Sequence, residues 1–122
     1  MARIVIAEDA PHTLRLLEMT LRKGGHQWTS VTDGAAAMSA VQAQSPDAVI
    51  LDVMMPGVDG IQALAALKGN PETTSIPVIM LTARGNTVTR RQAEESGATA
   101  FLTKPFSPTE LLATLHRLTS KS

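Results

Sequence analysis

Residues 48–52, Ala48-Val49-Ile50-Leu51-Asp52, are four apolar side chains ended by a carboxylate. The run shows no alternation of polar and apolar residues, so a strand made from it needs cover on both faces, as a central strand of a parallel sheet has. Three further runs read the same way: Ile4 to Ala7, Val78 to Leu81 and Ala100 to Leu102. A fifth stretch, Gln27-Trp28-Thr29-Ser30-Val31, mixes the two kinds of residue and fits a sheet edge, with Trp28 packing there.

Between these runs the spacing turns helical. Leu14, Leu17 and Leu21 share a stripe, residues 33–44 follow the edge stretch, and Ile61, Leu64 and Leu67 form a third face. A mostly polar stretch from about Asn86 to Ser96 supplies the fourth helix. Ser107-Pro108-Thr109-Glu110 combines an N-cap, a proline at the first helical position and a capping-box glutamate, and Leu111, Leu115 and Leu118 then line up. That pattern predicts a last helix from about Ser107 to Thr119. Asp33 and Asp59 suit N-caps, while Gly24-Gly25 and Gly97 stand where helices stop. Five βα units in 122 residues are too few for an eight-stranded barrel. The expected fold class is therefore α/β: one domain, residues 1–122, with a flavodoxin-like, doubly wound, five-stranded parallel sheet of order 2-1-3-4-5 and five helices.

Eleven basic residues balance eleven acidic ones, and a pI near 6.8 gives no general attraction to nucleic acid or anionic membrane. There is no cysteine for a disulfide or thiolate metal site. Glu8-Asp9 interrupts the first apolar run before a signal-peptide core is complete, and no segment reaches the roughly 18–20 apolar residues of a membrane span. The expectation is a soluble, cytoplasmic protein without direct nucleic-acid contact or membrane insertion. Because the chain ends just after the last helix, a stand-alone protein is favoured over an excised N-terminal domain.

In doubly wound sheets, ligands bind beyond the carboxyl ends of the strands, where the winding direction reverses. Glu8-Asp9 follows the first run, Asp52 the third, Thr82 the fourth and Lys104 the fifth. Taken singly, each has an ordinary reading: a helix cap or solvated loop acid, a turn hydroxyl, a surface charge. Their joint placement is the signal. Three converging carboxylates repel one another, which raises a pKa or draws in a cation, and a hard dication, Mg²⁺ or Mn²⁺, answers that repulsion. Phosphoryl transfer needs a nucleophilic oxygen, a metal, a cation and a hydroxyl, which Asp52, the carboxylate cluster, Lys104 and Thr82 supply.

The segments Asp52-Val53-Met54-Met55-Pro56-Gly57-Val58-Asp59-Gly60, Leu81-Thr82-Ala83 and Phe101-Leu102-Thr103-Lys104-Pro105-Phe106 resemble response-regulator receiver domains of the chemotaxis type, and the likeness runs from Arg3 to about Leu118. The resemblance implies that Asp52 is phosphoacceptor and metal ligand, Asp9 a direct ligand, Glu8 a ligand through water and the Met54 carbonyl a further ligand. Thr82 and Lys104 would bind phosphoryl oxygens, with a cis Lys104-Pro105 peptide. The donor would be a phosphohistidine on a sensor histidine kinase or phosphotransfer protein, and the recipient of the signal a downstream protein target. Such a domain catalyses only its own phosphorylation and dephosphorylation.

Family switching couples the Thr82 position to an aromatic ring at Phe101 and so to the surface of the fourth helix, fifth strand and fifth helix. Here a phenylalanine stands where chemotaxis-type members often carry tyrosine, so no phenolic hydroxyl serves that face; Phe101 as a plain core residue is the other reading. The family places the Met54 and Arg84 side chains beside the path of attacking water, and neither is a general base, which predicts slow self-dephosphorylation.

Two rivals remain. A metal-dependent phosphatase of the aspartyl-phosphate type needs a second aspartate two residues after the first, where this chain has Met54. A pseudo-receiver that never carries phosphate is opposed by the complete set of acids, Thr82 and Lys104. His12, His26 and His116 lack metal-ligand spacing, although His12 lies near the acidic mouth. Met54, Met55 and Met80 suit gap filling more than cofactor binding. Arg90-Arg91 reads as a solvated helix face, and no dinucleotide fingerprint or P-loop is present.

Overall fold

The structure, a computed structural model, describes residues 2–53, 60–83 and 87–119. Strands and helices alternate: β1 (Arg3–Ala7), α1 (Pro11–Lys23), β2 (Gln27–Val31), α2 (Gly34–Gln44), β3 (Ala48–Asp52), α3 (Gly60–Gly69), β4 (Val78–Ala83), α4 (Thr87–Glu95), β5 (Ala100–Lys104) and α5 (Pro108–Thr119). The strands form one sheet of order β2-β1-β3-β4-β5, with every neighbouring pair parallel. The fold class read from the sequence holds.

Side chains alternate across each strand, so one sheet feeds two cores. Ile4, Ile6, Ile50, Ile79 and Leu81 face α1 and α5, where Leu17, Leu21, Leu111 and Leu115 complete one cluster. Val5, Ala7, Val49, Leu51, Val78 and Met80 face the other way, onto Val41, Leu64, Leu67 and Ala93 of α2, α3 and α4. Burying each large aliphatic side chain is worth roughly 1.5–3 kcal/mol. All five residues of β3 are buried, whereas β2 has none buried, in keeping with its place at the edge.

The helix ends follow their local chemistry. Asp33 caps α2, its Oδ1 accepting from the Ala36 amide at 2.8 Å. Ser107 Oγ accepts from the Glu110 amide at 3.2 Å ahead of α5. Gly25 (φ 77°) and Gly97 (φ 102°) take up the left-handed conformation after α1 and α4. On α1, Leu17 and Leu21 are fully buried while Leu14 is only half-buried, and Leu16 and Met19 face outward. α1 starts at Pro11 behind Ala10, which offers no side-chain cap. Asp59, expected as an N-cap, lies outside the described residues.

Candidate functional site

Parallel pairing brings the carboxyl ends of all five strands to one edge. Ala7 is level with Leu51, and Asp52 with Leu81 on β4. Thr82 and Ala83 in turn lie opposite Thr103 and Lys104 on β5. The crevice opens where β1 and β3 lie side by side and their helices depart to opposite faces. Glu8 is fully buried, Asp52 is 3% exposed and Asp9 is exposed. One carboxylate oxygen from each of Glu8, Asp9 and Asp52 lies within 4.8 Å of the other two.

Lys104 reaches into this cluster from β5. Its Nζ is 2.9 Å from Asp52 Oδ2 and 3.0 Å from Glu8 Oε1. Both are ion pairs at hydrogen-bond distance, so the one ammonium bridges two buried carboxylates. The other Glu8 oxygen, Oε2, accepts from the Ala10 amide at 3.2 Å. Burial first, and the Asp52 carboxylate beside it second, push Glu8 up to about 7, while Lys104 and the Ala10 amide pull the other way. Burial also tends to lower Lys104, but its bonds to Asp52 and Glu8 outweigh this and raise it above its ordinary value.

The donor set suits a hard dication: only oxygen ligands, three carboxylates in reach of one point, and a buried acceptor atom with spare capacity. Thr82, at the end of the neighbouring strand, is buried. Met54 and Arg84 lie outside the described residues. The Lys104-Pro105 peptide is cis. His12 is exposed on the first turn of α1. The Ala10 amide was not legible beforehand, since a backbone donor leaves no mark on the sequence.

On the flank of the sheet Phe101 is half-buried against the α2/α3/α4 cluster, with the Arg90 guanidinium 4.9 Å from its ring centroid. Arg90 also pairs weakly with Glu94, Nε to Oε1 3.8 Å. Phe101 is thus neither a core residue nor free, but a ring lidded by a cation.

A family model for the response regulator receiver domain matches residues 4–116. The transcriptional regulatory protein TcrA of Mycobacterium tuberculosis is 43% identical over 119 residues, covering 98% of this chain and 46% of TcrA, so the chain spans about half of that relative. Protein PilH of Pseudomonas aeruginosa is 35% identical over 116 residues, covering 95% of this chain and 96% of PilH. The receiver domain of a sensor histidine kinase from Pseudomonas aeruginosa, solved with a magnesium ion coordinated in its active-site cleft, superposes with a TM-score of 0.91 at 30% identity over 98% of both chains. The carboxyl-edge site and this continuous match agree: the chain belongs to the response regulator receiver domains of two-component signalling.

Proposed function

We propose that residues 1–122 form one receiver domain that accepts a phosphoryl group on Asp52 in a reaction dependent on Mg²⁺ (or Mn²⁺). The donor is a phosphohistidine of a sensor histidine kinase or phosphotransfer protein. The observation that carries this reading is the contact of Lys104 Nζ with both Asp52 Oδ2 (2.9 Å) and Glu8 Oε1 (3.0 Å) inside a three-carboxylate cluster.

Asp9 and Asp52 would hold the metal directly, Glu8 through water, and the Met54 carbonyl would complete the protein's share. When bound, the dication neutralises charge on the equatorial phosphoryl oxygens. An Asp52 carboxylate oxygen forms the new bond to phosphorus as the P–N bond to the donor imidazole breaks, and the imidazole leaves neutral after taking up a proton. Lys104 exchanges part of its pairing with Asp52 for a phosphoryl oxygen, and the Thr82 hydroxyl donates to another. The chemistry acts on the chain itself, which makes the protein a switch and not an enzyme with turnover of external substrate.

The output is a change in a protein-interaction surface of α4, β5 and α5, read by a downstream protein target. Phe101 borders a cavity on that side which Arg90, Glu110 and Arg117 also line. Neutral overall charge supports a protein recipient over nucleic acid. Among the described residues no helix is long and apolar enough to cross a membrane; phosphoryl transfer from a sensor kinase would place the reaction in the cytoplasm. Met54 and Arg84, lacking a general base, support a long-lived phosphorylated state.

The test is incubation with Mg²⁺ and a small acyl phosphate, followed by intact mass. The expected result is one added phosphoryl group that disappears with chelator and with Asp52→Asn. A folded, metal-loaded sample that gains no mass overturns the reading.

A further inference from the structure

Gly60 opens α3 and is buried against the back of the strand end that carries Asp52. Its amide donates to the Val53 carbonyl at 2.9 Å. A Cβ at this position would collide with the Asp52 carbonyl oxygen and stand 2.8 Å from Val53 Cα and 2.9 Å from the Asp52 carbonyl carbon. All three neighbours are main-chain atoms, so no rotamer change relieves the contact, and real Cβ atoms essentially never come within 3.0 Å. A side chain here forces either α3 or the end of β3 to move by about 1 Å, because packed interiors hold no slack of that size.

The movement has few places to go. Val49 to Asp52 are locked in pairing with β4, and the Val53 amide still donates to the Leu81 carbonyl at 3.2 Å. Three and four residues farther along α3, Ala63 and Leu64 are fully buried against the sheet. The Asp52–Val53 peptide is the junction between these two fixed bodies. Gly69, at the far end of the same helix, has nothing within 4 Å of where its Cβ would be. The demand for glycine is therefore local to Asp52.

We propose that Gly60 is a positioning residue for Asp52: its missing side chain lets the start of α3 seat on the Asp52–Val53 peptide and so fixes the carboxylate at its 2.9 Å contact with Lys104 Nζ. The kinetic part rests on Asp52 being the phosphoacceptor; the geometric part does not.

The test compares Gly60→Ala with Gly69→Ala and with Leu115→Ala, a cavity in the opposite core that destabilises without touching this junction. Two readouts are taken per folded molecule, with the folded fraction from circular dichroism: the rate of phosphorylation by an acyl phosphate with Mg²⁺, and the ¹³C shift of the Asp52 carboxyl in the metal-free chain. Gly60→Ala is expected to slow phosphorylation on the order of 100-fold, the scale of a 1 Å misplacement of a reacting group, and to move the Asp52 resonance. Gly69→Ala and Leu115→Ala keep the wild-type rate and shift. Wild-type values for Gly60→Ala overturn the proposal. If that variant is partly unfolded, a stabilising osmolyte restores the folded population for measurement; a chain that stays unfolded makes Gly60 a folding requirement and overturns the positioning role. If wild type takes up no phosphoryl group, the functional reading fails, and the carboxyl shift still decides the role of Gly60.

Discussion

The ammonium of Lys104 sits 2.9 Å from Asp52 Oδ2, although β4 separates the strands that carry them. Lys104 is thereby an internal counter-ion for two buried carboxylates, in a place where a dication also belongs. Lys104→Met leaves Glu8 and Asp52 without that charge, so the metal-free chain loses roughly 1–3 kcal/mol of stability. With no competing cation, Mg²⁺ binds about tenfold more tightly, a gain of some 1.4 kcal/mol. Thermal melts in chelator and calorimetric Mg²⁺ titration read the two effects, which have opposite signs.

Glu8, pushed up to about 7 by burial and by Asp52, stands above its ordinary 4.5. The fold therefore favours the protonated form. Its contribution to stability is fully present below about pH 4.5 and is lost as pH rises through about 7. In chelator, Glu8→Gln should keep the melting temperature from falling across this window, relative to wild type. Parallel melting profiles for the two proteins would remove Glu8 from the account.

His26 behaves with the opposite sign. Its Nδ1 accepts from the Ala2 amide at 3.0 Å, which requires the neutral ring, and burial followed by the N-terminal charge lowers it from its ordinary 6.5. The stability it lends is present above pH 6.5 and is lost as pH falls through its lowered value. His26→Gln removes that acid-side loss, visible as a difference between wild-type and variant melts below about pH 6.5.

α2 is rich in alanine, and its first turn is tied by one side-chain cap, Asp33 Oδ1 to the Ala36 amide. Asp33→Ala should cost about 1 kcal/mol, seen as a lower denaturation midpoint with an unchanged slope. Asp33→Asn, which keeps the acceptor oxygen, should restore most of it.

The strands were legible because burial on both faces leaves runs such as Ala48 to Leu51 with no polar interruption, and β2 was legible as the edge because it lacks that property. Given the strand order, the convergence of Glu8, Asp9, Asp52 and Lys104 followed. What the sequence could not convey were contacts between residues whose elements meet only on docking. Trp28, expected only to pack, donates from Nε1 to Glu18 Oε2 at 3.1 Å; Ser30 donates to the same oxygen at 2.8 Å, and Arg22 stacks over the indole at 5.5 Å. Gly60 is similar: its identity is plain in the sequence, but the backbone behind it is not. The acid next to Glu8 is plain too, yet which of the two is buried depends on how β1 enters the sheet.

The two cores draw on alternate residues of the same strands and share no side chain. The sheet therefore works as a party wall. A cavity cut on one side, Leu17→Ala, and one cut on the other, Leu67→Ala, should cost independent amounts that add within about 0.5 kcal/mol. Each flank of the molecule is accordingly free to drift in sequence without renegotiating the other. At the carboxyl edge the two sides meet, and the site built there answers to both tenants.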